Sequence, residues 1–269
     1  RRLQLGQTVC NRLRQLKSMA AKGSLFSAAL LCPVRSRLLC PLSSVALTRT
    51  LPPPSELSTS PCRAHRPPPT RNLQVRAARM ESGGASLGFR APPFELPEPL
   101  TGKTWKLDDF EPFPALLVMF ICNHCPFVKH LKKGIVKLAN FYLQKGLAVV
   151  AISSNSTVTH PQDGPEFMVE DAKSFNYPFP YLYDESQDAA RAFGAVCTPE
   201  FFLFKKEGRR PFELFYHGQF DDSRPSNNVP VTGRDLSLAI DAVLSGQPLS
   251  SGQRPSVGCS IKWHPERSQ

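Results

Sequence analysis

The sequence predicts an α/β fold in which a central mixed β-sheet carries helices on both faces. Two continuous apolar runs, residues 115–121 and 147–153, have the length of strands and are typical of strands buried on both sides. The segment between them repeats apolar residues at the spacing of one helix face. This strand–helix–strand order predicts a right-handed parallel crossover, which places the two runs in one sheet.

Local signals predict the elements around these two strands. Residues 94–110 favour two short extended pieces around a turn at Thr101–Gly102. The helix between the strands presents an apolar face made by Val128, Leu131, Ile135, Leu138 and Tyr142. Gly146 is well placed to end this helix. We expect Gly134 to weaken its middle or to mark a kink.

The second half of the chain predicts three further helices and a hairpin. Residues 164–175 favour a helix that starts at a proline, and residues 184–194 favour a helix with Asp184 as its N-cap. Two apolar stretches flank a charged turn within residues 200–220, which predicts a β-hairpin. Residues 232–246 then predict a closing amphipathic helix.

The basic charge of the chain is confined to its first 80 residues. The chain of 269 residues has a formal net charge of +11, yet residues 1–80 hold 14 Lys and Arg with a single acid, and the rest is slightly acidic. After residue 80 the sequence has no basic stripe interleaved with aromatic residues, which a nucleic-acid surface would show. We therefore expect no nucleic-acid partner.

The basic region, residues 1–79, is predicted to be a disordered leader that contains an organelle transit peptide. It is rich in Arg, Ser and Pro, and the stretch from Met19 is similar to a presequence start. The sequence VRAA at 75–78 resembles the cleavage context of plastid transit peptides, so we expect a chloroplast location, with the mitochondrion as the alternative. Met80 as the true start stays open. The apolar run Leu25–Cys32 is too short to span a bilayer, and we expect no membrane span.

The stretch FICNHCPFVKH carries the residues with the clearest chemistry. Cys122 and Cys125 are separated by two residues and lie where the first buried strand ends and a helix begins. The free N–H groups and the positive end of that helix favour a thiolate at the first cysteine. We expect Cys122 to be the exposed nucleophile, Cys125 the more buried resolving thiol, and His124 a residue that stabilises the thiolate.

The cysteine pair has two alternatives to redox chemistry, a zinc site and a structural disulfide. A zinc site would need two further ligands, and the remaining candidates are His124, His130, Cys197 and Cys259, without a second CxxC pair. A structural disulfide without turnover is the other alternative. We favour redox chemistry with no metal and no organic cofactor, with Cys197 as a small core residue and Cys259 packed or idle.

The order of these features resembles the thioredoxin superfamily. A strand, a CxxC motif and a helix are followed much later by Thr198–Pro199 directly before a strand. The resemblance covers residues 86–246, which implies a thioredoxin-like domain there and leaves residues 247–269 as a C-terminal tail. It also implies that Pro199 is cis, faces the dithiol and, with Thr198, shapes a groove for substrate. The additional elements at 147–183 are similar to the larger redoxin branch, which includes alkyl hydroperoxide reductase and thiol-specific antioxidant proteins.

This resemblance implies a thiol–disulfide oxidoreductase that acts on protein or small-molecule disulfides and receives electrons from an unidentified thiol donor. A peroxiredoxin-like antioxidant peroxidase is the alternative, and a non-catalytic binding module with the same fold is the third class. Peroxiredoxins carry Pro-x-x-x-Thr-x-x-Cys, but Ala115 and Met119 occupy the Pro and Thr positions relative to Cys122. We therefore expect weak peroxidase activity.

The predicted leader can be tested with a reporter. A fusion of residues 19–80 to a fluorescent protein is expected to accumulate in plastids, because this segment is basic, rich in serine and nearly free of acids. Confocal microscopy measures the result. Uniform cytosolic fluorescence would contradict the prediction and favour Met80 as the start, and mitochondrial fluorescence would select the alternative.

Overall fold

The structure is a computed structural model that describes residues 79–83, 86–249 and 252–265. Apart from Arg79, the predicted leader lies outside these residues. The strands are β1 (Arg79–Glu81), β2 (Glu95–Pro97), β3 (Thr104–Lys106), β4 (Ala115–Phe120), β5 (Leu147–Ser153), β6 (Tyr181–Tyr183), β7 (Cys197–Thr198), β8 (Glu200–Lys205), β9 (Glu213–Gly218) and β10 (Val257–Ser260). The α-helices are α1 (Pro126–Leu143), α2 (Pro165–Ser174), α3 (Asp188–Phe193) and α4 (Arg234–Ser245).

A five-stranded mixed sheet forms the centre, in the order β6–β5–β4–β8–β9. β4 pairs with β5 in parallel and with β8 antiparallel, so the predicted parallel pairing and the mixed sheet are confirmed. Every residue of β4 and β5 is buried, as the continuous apolar runs predict. The predicted hairpin is β8–β9, and the predicted turn at Thr101–Gly102 joins the small β2–β3 pair.

Helices cover both faces of this sheet, as the sequence predicts. Residues of α1 and α4 share one apolar cluster with Leu117 and Met119 of β4. On the opposite face, the ring of Phe193 in α3 meets Phe120 and Phe202 at centroid distances of 5.5 and 5.7 Å. None of the described helices combines the length and the apolar character needed to cross a bilayer.

Gly134 has a packing role that the sequence does not show, and the predicted cap of α3 needs correction. α1 continues through Gly134, and a Cβ there would lie 2.7 Å from Val231 Cγ1, so this glycine allows a close approach. α3 is capped by Gln187, whose φ of 64° is left-handed, and not by Asp184. The Asp184 carboxylate still accepts the N–H of Ala190 at 3.0 Å, so it satisfies a first-turn donor from outside the helix.

A second, three-stranded sheet stands where the sequence predicts only a C-terminal tail. β10 pairs antiparallel with both β1 and β7, with Cys259 opposite Thr198 and Ser260 opposite Cys197. Residues 257–264 (VGCSIKWH) alternate apolar residues with small or polar ones, a strand signal that the sequence prediction missed. The C-terminal residues are therefore packed directly against the Thr198–Pro199 segment.

The contact between β10 and this segment depends on Gly258. A Cβ on Gly258 would overlap the carbonyl group of Thr198, whereas a Cβ on Gly252 meets nothing within 4 Å. We expect Gly258→Ala to lower the free energy of unfolding by about 1–3 kcal/mol, the usual cost of forcing extra atoms into a packed site.

Urea denaturation followed by circular dichroism measures this effect, with Gly252→Ala as the matched control. The control is expected to stay within about 0.5 kcal/mol of the wild type, because the added methyl group meets open space. Equal stabilities for the two variants would contradict the observed packing of β10.

Candidate active site

The CxxC pair lies between β4 and α1. Cys122 comes two residues after β4, and Cys125 is the N-cap of α1, where Pro126 fits the first helical position because it lacks an N–H. Both cysteines are free thiols. The prediction that Cys122 is exposed is wrong, because Cys122 is 1% exposed and Cys125 is 0% exposed. The sulfurs are covered by the segments described next.

The Thr198–Pro199 segment contacts both sulfurs. The Thr198–Pro199 peptide bond is cis, as the resemblance implies. The Thr198 hydroxyl lies 3.3 Å from Cys122 Sγ, and the Cys125 thiol donates to the Thr198 carbonyl at 3.2 Å. The structure thus brings Cys122 and Cys125 together with Thr198 and Pro199, which lie more than 70 positions later in the sequence.

The buried carboxylate of Asp163 holds the loop between the two cysteines. Its Oδ1 accepts the backbone N–H groups of Asn123 at 2.8 Å and His124 at 3.0 Å. Its Oδ2 lies 2.5 Å from His124 Nδ1 and accepts the Asn155 amide at 2.8 Å. Burial works to raise the pKa of Asp163, but the hydrogen bonds from His124 and Asn155 outweigh it and lower the pKa. Sequence reasoning missed this residue.

The position of His124 changes its expected role. Its Nδ1 lies 2.5 Å from Asp163 Oδ2 and 3.9 Å from Cys122 Sγ, and one ring nitrogen carries only one proton. The shorter contact to a carboxylate takes that proton, so His124 does not donate it to the Cys122 sulfur. His160 stacks against the His124 ring with centroids 4.7 Å apart, which further fixes its orientation.

The electrostatics of the pair favour a negative charge at Cys125. Burial, the hydrogen bond with Cys125 and the nearby Asp163 charge all raise the pKa of Cys122. Hydrogen bonds from the Cys122 and Cys259 thiols and from the Val128 N–H lower the pKa of Cys125. Two thiols in contact titrate as a pair. These directions place the lower pKa at Cys125, whereas the sequence predicts the first thiolate at Cys122.

Glu200 holds the other side of the site. This buried carboxylate accepts the N–H groups of Val196 at 2.8 Å and Cys197 at 3.0 Å, and its second oxygen lies 2.7 Å from His217 Nε2. These bonds fix the backbone that leads into the cis peptide bond. Neither Glu200 nor Asp163 has a spacing in the sequence that would identify it.

One cluster in the described ranges has the geometry of metal ligands. Single atoms of Cys122, His124 and Asp163 lie within 4.8 Å of one another, and zinc accepts all three residue types. Asp163 already accepts four N–H groups here, so a metal would displace the His124 contact. Of the other predicted ligands, His130 instead contacts the Ser223 hydroxyl at 2.7 Å.

Comparisons with known proteins agree with this fold. A family profile described as the AhpC/TSA family matches residues 87–209. The chain is similar to the crystal structure of an uncharacterized conserved protein from Geobacillus kaustophilus, with 48% identity and a TM-score of 0.67 over 70% of this chain and 98% of that one. A hypothetical protein from Sinorhizobium meliloti gives 47% identity and a TM-score of 0.65 over 68% and 98%. A comparison with curated proteins gives no match.

The role of Asp163 predicts a pH-dependent loss of stability. We expect Asp163→Asn to lower the free energy of unfolding at pH 7 by about 1–3 kcal/mol, because an amide cannot accept all four N–H groups. A lowered carboxylate pKa stabilises the folded state above the unfolded-state pKa, about 3.9, and this stabilisation is lost as the pH falls through the folded-state pKa. The difference from wild type should therefore shrink as the pH falls below the unfolded-state pKa of about 3.9.

Urea titrations at a series of pH values measure this difference. Asp188→Asn is the matched control, because its carboxylate is 81% exposed and its loss should change stability by less than about 0.5 kcal/mol. An Asp163→Asn variant with wild-type stability at pH 7 would show that the carboxylate does not hold the loop.

Proposed function

The chain belongs to the AhpC/TSA family, in the redoxin branch of the thioredoxin superfamily, and on this basis we propose that it is a thiol–disulfide oxidoreductase. Its substrates are disulfides of proteins or small molecules, and a thiol compound or protein restores its dithiol. The observation that carries this proposal is a pair of free thiols, Cys122 and Cys125, that both contact the segment with the cis peptide bond.

Cys122 is the sulfur placed to meet a substrate. It contacts the Thr198 hydroxyl and lies near His124, whose side chain is 18% exposed at the rim of the site. Cys125 instead contacts the Thr198 carbonyl and Cys259, which is buried. Because Cys122 is itself covered, a docking substrate must displace part of the loop or of the Thr198 side chain.

The contact between the two sulfurs supplies the proton transfer. When Cys125 loses the proton that it donates to the Thr198 carbonyl, the resulting thiolate can accept the proton of the Cys122 thiol as Cys122 attacks the substrate disulfide. One substrate sulfur leaves as a thiolate and the other forms a mixed disulfide with Cys122. Cys125 then gives its proton to the leaving thiolate and attacks Cys122 Sγ, which releases the second substrate sulfur as a thiolate, protonated by solvent, and leaves a Cys122–Cys125 disulfide.

The thiol donor restores the enzyme by the same exchange in reverse. Its thiolate attacks Cys122, Cys125 leaves as a thiolate, and a second donor thiol completes the reduction. Hydrogen bonds from Cys259 and from the first turn of α1 stabilise this leaving thiolate. A stabilised thiolate at Cys125 therefore favours both the reduction of the substrate and the regeneration of the dithiol by the donor.

A peroxidase receives less support from the site. The positions that carry Pro and Thr in peroxiredoxins are Ala115 and Met119, and both are buried in β4. Neither side chain can donate a hydrogen bond to a peroxide oxygen, and one such donor is typically worth about a hundredfold or more in rate. The Thr198 hydroxyl is a threonine donor like the one in peroxiredoxins, but it reaches Cys122 from β7 and not from β4.

Two substitutions separate the roles of the paired cysteines. Cys122→Ser is expected to lower the rate of disulfide reduction with dithiothreitol by at least about a thousandfold, because the attacking sulfur is lost. Cys125→Ser should instead accumulate a mixed disulfide between Cys122 and the substrate, because the resolving thiol is lost. Non-reducing gels and mass spectrometry detect this species.

Cys197→Ala is the matched control, because Cys197 is equally buried but its Sγ faces the Pro199 and Ser256 carbonyls. The rate of disulfide reduction by Cys197→Ala should stay within about threefold of the wild-type rate. Full activity in Cys122→Ser, or an absence of trapped substrate in Cys125→Ser, would contradict the proposed function.

A further inference from the structure

A third thiol lies against the catalytic pair. Cys259 of β10 is 1% exposed and stands opposite Thr198 in the small sheet. The carbonyl oxygen of Thr198 lies 3.2 Å from Cys125 Sγ, and Cys122, Cys125 and Cys259 share one buried cluster. Cys259 is close enough to Cys125 to lower its pKa, so Cys125 has Cys122 and Cys259 as its two thiol neighbours.

Several bonds fix Cys259 in this position. Gly258 packs against the Thr198 carbonyl, and the Ile261 N–H donates to the Val196 carbonyl at 3.0 Å. The next residue, Lys262, donates its N–H to Asn155 Oδ1 at 2.8 Å, and the same Asn155 side chain binds Asp163. The strand that carries the third thiol is thus tied to the hydrogen bonds that hold the dithiol loop.

We propose that Cys259 is a second resolving thiol, which moves the disulfide from Cys122–Cys125 to Cys125–Cys259. The inference rests on the proposed dithiol exchange, which supplies the first disulfide from a substrate. The Cys259 thiolate attacks Cys125 Sγ, a Cys125–Cys259 bond forms, and the Cys122–Cys125 bond breaks. Cys122 leaves with the electron pair of the broken bond and takes up the proton that Cys259 has lost, so no further oxidant or reductant is needed.

The charges around Cys259 make this step follow the formation of the Cys122–Cys125 disulfide. In the reduced protein, the hydrogen bond with Cys125 is the largest cause that raises the pKa of Cys259, followed by burial. Once Cys125 is in a disulfide, it carries no negative charge, so its interaction with Cys259 no longer raises the pKa of Cys259. Lys262 remains nearby, and its positive charge acts to lower the pKa of Cys259. The third thiol is therefore held inactive until the first disulfide has formed.

The transfer changes the state of the groove. It returns Cys122 to a free thiol beside Thr198 and stores the disulfide between α1 and β10, away from the rim. An incoming thiol donor then meets a reduced Cys122, while the disulfide lies behind it between Cys125 and Cys259. The chain has a second nearby cysteine, Cys197, but its Sγ faces the Pro199 and Ser256 carbonyls, so it is the matched control.

Peptide mapping of the oxidised full chain tests the proposal. The purified protein is oxidised with a limiting amount of oxidised glutathione, quenched with acid, alkylated and digested with trypsin without reduction. Cys122 and Cys125 share the peptide 107–129, and Cys259 lies in 235–262, so the proposed disulfide joins two peptides and leaves one alkylated cysteine. Fragment spectra place that alkyl group on Cys122 or Cys125.

We expect the cross-linked peptides in at least about a tenth of the oxidised protein, with the alkyl group on Cys122, since neighbouring disulfides of similar potential share the population. Cys197→Ala should give the same product. Cys259→Ser and Cys259→Ala should both lose it completely and accumulate the Cys122–Cys125 disulfide. Their disulfide reduction with dithiothreitol should be slower than wild type but measurable, because the interaction that stabilises the Cys125 thiolate is weakened or lost.

The outcomes separate the two proposals. Active protein whose peptide 235–262 stays fully alkylated throughout the oxidation would overturn the role of Cys259 and leave the dithiol function intact. Cross-links that place the alkyl group on Cys125 would also overturn it. A wild-type protein without disulfide exchange would overturn the proposed function itself.

Discussion

The buried carboxylate of Asp163 is the interaction on which the candidate site depends. It joins the backbone of the CxxC loop to Asn155, just after β5, and Asn155 binds the C-terminal segment through Lys262. An uncompensated charge in such a place would be strongly destabilising, but four N–H groups satisfy it and keep its pKa low. The loop between the sulfurs, the histidine at the rim and the strand with Cys259 are therefore positioned by one connected set of hydrogen bonds.

The chemistry of the site follows from a division of roles between two buried sulfurs. The negative charge at Asp163 opposes a thiolate at Cys122, while the first turn of α1 and Cys259 favour one at Cys125. In the proposed function, contact between the sulfurs lets the inner thiolate accept the proton of the outer thiol when a substrate arrives. Because Cys122 is buried, the proposed substrate has to displace part of its cover beside Thr198 to reach this sulfur.

The sequence predicts the parts of the molecule that local patterns encode. The buried runs of β4 and β5, the amphipathic α1 and the β8–β9 hairpin follow from periodicity, and the resemblance to thioredoxins implies the cis bond at Pro199. Asp163 lies 40 residues from Asn123, and Lys262 lies 107 residues from Asn155, so no pattern connects these partners. The sequence also could not show the buried charge of Asp163, which acts to raise the pKa of Cys122 against the effects of helix position and His124.

The pH dependence of thiolate ultraviolet absorbance tests the central claim that the first charge of the pair belongs to Cys125. The wild type should show a thiolate that forms below the ordinary thiol pKa of about 8.5, because Cys122, Cys259 and the Val128 N–H stabilise it. This low-pH step should persist in Cys122→Ser and disappear in Cys125→Ser. A step that disappears in Cys122→Ser and persists in Cys125→Ser would contradict the account.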